Sequence, residues 1–81
     1  MTNLEKLKAL VIDVFLLDPS EFRLDLKREE VDTWDSLGVV AIAVGVKDTF
    51  GYHFTIDEAS GIKGVKDIID VLESKGILFN E

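Results

Sequence analysis

Ten consecutive residues in the middle of this chain, Leu37 to Val46, carry no charge and no polar side chain. A run of this length is too short to cross a bilayer, which takes about 20 apolar residues in a helix. With 81 residues, the chain is expected to form a single domain, 1–81, with one small core. It has no cysteine, so neither a disulfide nor a thiolate metal site can reinforce that core. Any thiol chemistry would have to come from an attached group.

Taken alone, the apolar run reads as a buried strand or a buried helix, because β-branched residues and two glycines are weak helix formers. Its flanks favour a helix. Asp35 is suited to cap the free N–H groups of a helix starting at Ser36, and the pattern continues through Lys47-Asp48-Thr49-Phe50 to Gly51, a C-cap residue. The second helix is therefore expected over 36–50. The first is expected over about 3–16. Thr2 and Glu5 form a capping box, and Leu4, Leu7, Val11, Val14 and Phe15 recur at helical spacing. Thr55 and Glu58 repeat the capping box before a short helical turn ending at Gly61. A last helix starts near Gly64, with Val65, Ile68, Ile69 and Leu72 as its buried stripe, and Gly76 closes it. The expected fold is all-α: a small four-helix bundle of three main helices and one short helix, with a long loop between the first two.

That loop, 18–35, opens with Asp18-Pro19 and holds seven acids against Arg23, Lys27 and Arg28. It also contains Phe22, Leu24, Leu26, Val31 and Trp34, which a free linker would not need. The loop is expected to lie across the domain, pinned by these side chains, or to form a short helical turn of its own.

The net charge of −7 disfavours nucleic acid as a partner and would steer partners with basic surfaces. The N-terminal residues show neither a basic segment nor a long apolar one, so a cytoplasmic protein without stable membrane insertion is expected. A single histidine, His53, stands between Tyr52 and Phe54 and reads as a solvated turn residue. No metal site, phosphate-cradling glycine motif or basic stripe is evident. This leaves Asp35-Ser36-Leu37, which places a serine hydroxyl at a helix mouth. Free N–H groups and a partial positive charge favour phosphate there.

The short helices, the acidity, the long first loop and Asp35-Ser36-Leu37 midway along the chain together resemble the acyl carrier protein family. Phe50-Gly51, Thr55-Ile56 and Val65, Asp67 and Ile68 extend the resemblance over nearly the whole chain. The resemblance implies that Ser36 carries 4′-phosphopantetheine, transferred from coenzyme A by a phosphopantetheinyl transferase. The arm's thiol would hold acyl groups as thioesters, in fatty-acid, polyketide or related lipid biosynthesis. Asp35 would cap the helix and help the transferase recognise the site, and Leu37 would fix the helix start and contact partners. The protein would be a monomeric carrier and not an enzyme, visited by acyl-loading and acyl-processing enzymes. Val40, Ile42, Ala43 and Val46 of the second helix, with Ile62, Ile68 and Leu72, are candidate walls of a cleft for the acyl cargo, and filling the core is the favoured role for any one of them taken singly.

The chain departs from the family pattern in two places. The second helix has only Asp48, offset by Lys47, where family members carry several acids, and Trp34 replaces a small residue before the motif. Both point to a specialised carrier whose partners meet apolar residues. Trp34, Val39, Ile42 and Val46 are the candidate contacts, with packing under the loop as the other role for Trp34. An aminoacyl, peptidyl or D-alanyl carrier is an alternative, and a cofactor-free protein-interaction module is an alternative of another class. A hydrolase using Ser36 as nucleophile lacks an indicated base.

Overall fold

Among the described residues, three of the four helices begin where a side chain satisfies a free N–H group of the first turn. In the computed structural model, which describes residues 2–79, α1 spans Asn3–Phe15, α2 Ser36–Phe50, α3 Ile56–Gly61 and α4 Val65–Ser74. The described residues form an all-α bundle with four helices, one of them short. Thr2 Oγ1 accepts from the Glu5 N–H while Glu5 Oε1 accepts from the Thr2 N–H, and Thr55 and Glu58 do the same for α3. Asp35 Oδ1 accepts from the Gly38 N–H at 3.0 Å and caps α2.

The ends also have local causes. α1 stops at Phe15, one residue short of expectation, because Leu16 turns left-handed at φ 56. Gly51, at φ 79, ends α2 and donates to the Lys47 carbonyl. α4 starts at Val65, with the Lys63 N–H bonded to Asp67 Oδ2 at 2.9 Å in place of a side-chain cap from Gly64.

The buried core is drawn from α1, α2 and α4 and from the segments between helices. Leu7, Val11 and Phe15 of α1, Ile42 and Val46 of α2, Ile62 after α3, and Val65, Ile68 and Leu72 of α4 are buried together. Leu4, Val14 and Ile69, also expected on buried stripes, are only partly covered. The two glycines of α2 let α1 approach closely. A Cβ at Gly38 would lie 2.9 Å from the Phe15 ring and 2.6 Å from the Thr33 carbonyl oxygen, and one at Gly45 would lie 2.4 Å from Leu10.

The long loop crosses the bundle as expected, through two 3-10 turns at Pro19–Glu21 and Arg28–Glu30. Leu26, Val31 and Trp34 anchor it in the core and Phe22 packs partly, whereas Leu24 stays exposed. It is also sewn to the start of α4. The Arg28 N–H donates to the Lys63 carbonyl at 2.7 Å, and the Val65 N–H to the Leu26 carbonyl at 2.9 Å, on either side of a Lys27–Gly64 bridge. At the other end of the molecule the Tyr52 hydroxyl donates to Glu58. Lys75 Nζ lies 3.9 Å from Glu58 Oε2 and 5.5 Å above the Tyr52 ring.

Candidate functional site

The residues on either side of the serine motif are held from below. The Trp34 indole stacks on Phe15, with ring centroids 4.5 Å apart and planes 19° from parallel. Arg28 Nε donates to the Trp34 carbonyl at 2.9 Å, and Thr33 Oγ1 donates to the Phe15 carbonyl at 2.9 Å. These bonds tie the end of the loop both to α1 and to the preceding 3-10 turn. Gly38, seated against Phe15, fixes the first turn of α2 from the other side.

Between Trp34 and Gly38, both buried, the backbone rises to the surface and exposes Asp35, Ser36 and Leu37. Ser36 is the first residue of α2. Asp35 occupies the Gly38 N–H, while the Ser36 and Leu37 N–H groups have no partner within the helix by its geometry. The site thus offers an accessible primary hydroxyl beside a partial positive charge, on a rigidly placed helix end. An anion ester-linked to this oxygen is stabilised there.

Among the described residues no histidine stands beside Ser36. His53 is exposed just beyond the far end of α2, a helix of 15 residues, which puts it about 20 Å from Ser36. A Ser36–His53 dyad cannot form across that distance. Among the described residues no cluster of His, Asp or Glu could hold a metal ion, and no helix is long and apolar enough to cross a membrane.

Three of the candidate partner contacts are corrected by their burial. Trp34 is 3% exposed, and Ile42 and Val46 are fully buried. Trp34 packs under the loop, the other role weighed for it. Val39 is half-buried against the core. The outward face of α2 is formed instead by Leu37, Val40 and Val44, at 80%, 61% and 54% exposure, with Ala41 beside them. These recur at three- and four-residue steps along one side of the helix. Most of the cleft candidates take the other role weighed for them, in the core. Ile42, Val46, Ile62, Ile68 and Leu72 fill the core, Ala43 is half-buried, and Val40 faces outward.

A cavity of about 860 Å³ does open close to the motif, between the loop at 25–29 and residues 63–67, with Trp34 in its lining. Sequence reasoning missed it because it arises where the 27–64 bridge joins segments far apart in the chain.

A small helical bundle that presents an exposed serine at the capped mouth of its second helix has the architecture of a carrier domain. The same assignment emerges from comparison with known proteins. The chain is 32% identical over 72 residues to the acyl carrier protein of Thermosynechococcus vestitus, covering 89% of each chain. It is 30% identical over 70 residues to that of Coprothermobacter proteolyticus, covering 86% of this chain and 85% of the relative. It is also 30% identical over 74 residues to that of Helicobacter hepaticus, covering 91% and 97%. No family model matches the chain. At this identity and coverage, the chain belongs to the acyl carrier protein family.

Proposed function

We propose that the protein is a non-catalytic cytoplasmic carrier. It holds acyl intermediates as thioesters on a 4′-phosphopantetheine arm joined to Ser36, in fatty-acid, polyketide or related lipid biosynthesis. The observation that carries this reading is the exposed Ser36 hydroxyl at the capped start of α2, in a member of this family. The transferase supplies the base and metal for attachment, so Ser36 needs no activating neighbour. Asp35 and Leu37 are the flanks that the transferase reads. The arm brings the sulfur that the chain lacks.

Leu37, Val40 and Val44 give the loading and processing enzymes an apolar strip to dock on. α2 carries only Lys47 and Asp48 as charges, so contact at this helix is dominated by apolar burial. Steering by the net charge of −7 acts through the rest of the surface.

The test is intact-protein mass spectrometry after incubation with coenzyme A and a broad-specificity transferase. One phosphopantetheine adduct is expected, absent from Ser36→Ala. An unmodified wild-type chain beside a fully modified control carrier refutes the reading.

A further inference from the structure

The net charge of −7 conceals a surface of the opposite sign. Lys27, Arg28, Lys63 and Lys66, four of the chain's nine basic residues, gather where the long loop meets the start of α4. The segments that carry them are locked together by the Lys27–Gly64 bridge and by the Arg28 N–H bond to the Lys63 carbonyl at 2.7 Å. Lys27, Lys63 and Lys66 are exposed, and none of them forms an ion pair among the described residues. Of the acids beside them, Asp25 is engaged by Arg23 Nε at 3.1 Å and Asp67 by the Lys63 N–H at 2.9 Å, leaving Glu29.

Two of these lysines stand against the local electrostatics. Gly64 is the N-cap of α4, so Lys63 lies just before the cap and Lys66 in the first turn. That end of a helix carries a partial positive charge, which favours acids and disfavours cations. Neither ammonium group has an ion pair or ring contact among the described residues to offset this. The patch also adjoins the serine. Arg28 Nε donates to the Trp34 carbonyl at 2.9 Å, and Trp34 stands two residues before Ser36. A standard protein interface covers about 800 Å² on each partner, a disc of about 16 Å radius. An enzyme centred on Ser36 therefore reaches the near edge of the patch at Arg28.

We propose that this patch is a docking surface for an acidic face of an enzyme that visits Ser36. The inference rests on the carrier reading of that serine. Lys27, Lys63 and Lys66 meet partner carboxylates on the loop side of the serine, while Leu37, Val40 and Val44 are covered on the α2 side. Contacts of unlike kind on the two sides fix how the enzyme is turned about the serine. The interspersed acids, Asp25, Glu29 and Asp67, select a protein as the occupant. A protein surface can set a base against each of them. Nucleic acid or an anionic membrane presents one sign only and is repelled by these acids as well as by the net charge.

The probe is a synthetic helical peptide with glutamates at three- and four-residue steps along one side, compared with the same peptide carrying glutamines. Backbone amide NMR of the unmodified protein follows each titration in about 0.1 M salt, where the screening length of about 10 Å mutes the more distant acids of the chain. The glutamate peptide is expected to shift the amides of residues 27–28 and 63–66 and to leave α1 unmoved. Its affinity should fall at least about fivefold in Lys63→Gln/Lys66→Gln, and as far for the wild-type protein in about 1 M salt, where the screening length is about 3 Å. The glutamine peptide should not bind. The double variant should melt no lower than wild type, because two cations leave the positive end of α4. Absent shifts, shifts centred elsewhere or an affinity indifferent to salt overturn the docking inference. A lower melting temperature in the double variant does so too, by assigning the lysines to the fold. Tighter binding to phosphatidylglycerol vesicles or to a single-stranded oligonucleotide than to the peptide overturns the choice of a protein partner. These measurements use the unmodified chain, so their failure leaves the carrier reading intact. That reading fails separately, on the absence of a phosphopantetheine adduct at Ser36.

Discussion

At the scale of single residues, the two glycines of α2 look equivalent in sequence and differ in the structure. Alanine is a better helix former than glycine by about 1 kcal/mol, so both positions would gain from Gly→Ala if space allowed. At Gly38 it does not. The new methyl would meet the Thr33 carbonyl oxygen at 2.6 Å and the Phe15 ring at 2.9 Å, and Phe15 is pinned between this helix and Trp34. At Gly45 the obstacle is the end of the flexible, half-buried Leu10 side chain. Gly38→Ala is expected to destabilise the fold by about 1–3 kcal/mol, as overpacking does, and Gly45→Ala by less than about 1 kcal/mol. Urea titrations of the two variants check this, and equal losses would contradict the assignment of Gly38 to a rigid contact. The sequence showed both glycines but not the partner of either, since Leu10, Phe15 and Thr33 reach α2 only through tertiary packing. The same limit hid the roles of the apolar residues of α2. With apolar side chains around most of that helix, no polar stripe marks the outward face. Ile42 and Val46 therefore resemble Val40 and Val44 in sequence and differ from them only in the packed bundle.

At the scale of elements, helix ends were more legible than helix faces, because caps are local chemistry. Thr2-Glu5, Asp35 and Thr55-Glu58 each satisfy N–H groups within three residues in sequence, and each opens a helix where the pattern placed it. The bounds of α2 at Ser36 and Phe50 were legible for that reason. Leu16 as a left-handed C-cap was not, since leucine gives no signal for positive φ. The caps also predict how the fold responds to acid. Glu58 is held below the usual carboxylate range, first by the Thr55 N–H and then by the Tyr52 hydroxyl, with Lys75 adding a smaller attraction. Glu5 is lowered by the Thr2 N–H, and Glu30 and Asp25 by hydrogen bonds from Arg23. A carboxyl whose folded value is depressed binds its proton more readily when unfolded. Its contribution to stability is therefore complete above the unfolded value and is lost as pH falls through the folded one. Melting temperature is expected to hold near neutrality and to drop from about pH 5 towards pH 3. Glu58→Gln should lower the melting temperature at neutral pH and flatten part of this acid limb. A parallel, undiminished limb in that variant would remove Glu58 from the set of responsible groups. Tyr52, whose hydroxyl is raised by the same bond, stays protonated throughout this range.

At the scale of the whole molecule, the seam between the loop and α4 holds the serine in place. The long loop has only two 3-10 turns of its own, so its path depends on three buried side chains, two backbone bonds to Lys63 and Val65 and the Thr33 bond to the Phe15 carbonyl. Through this seam α4 is coupled to the motif. The Arg28 N–H is bound to Lys63, the Arg28 side chain holds the Trp34 carbonyl, and Trp34 precedes the cap and the serine. Gly64 sits where the two segments are closest. Its φ of 179 is available to any residue, so the requirement is for space: a Cβ there would lie 2.6 Å from the Leu26 carbonyl oxygen and 3.3 Å from the Lys27 Cα. Both obstacles are backbone and cannot rotate away. Gly64→Ala is expected to cost about 1–3 kcal/mol, or on the order of 5–20 °C in melting temperature for a domain of this size. Gly61→Ala, with no atom within 4 Å of the added methyl, serves as its control. The decisive readout is local. Hydrogen exchange at the Arg28 and Val65 amides should accelerate more than exchange in α1, because the seam opens before the core does. Attachment of phosphopantetheine at Ser36 should slow in parallel, since the transferase would meet a motif whose support from Arg28 has loosened. If exchange rises uniformly through all four helices while attachment is unchanged, the seam contributes only to global stability and does not position the serine.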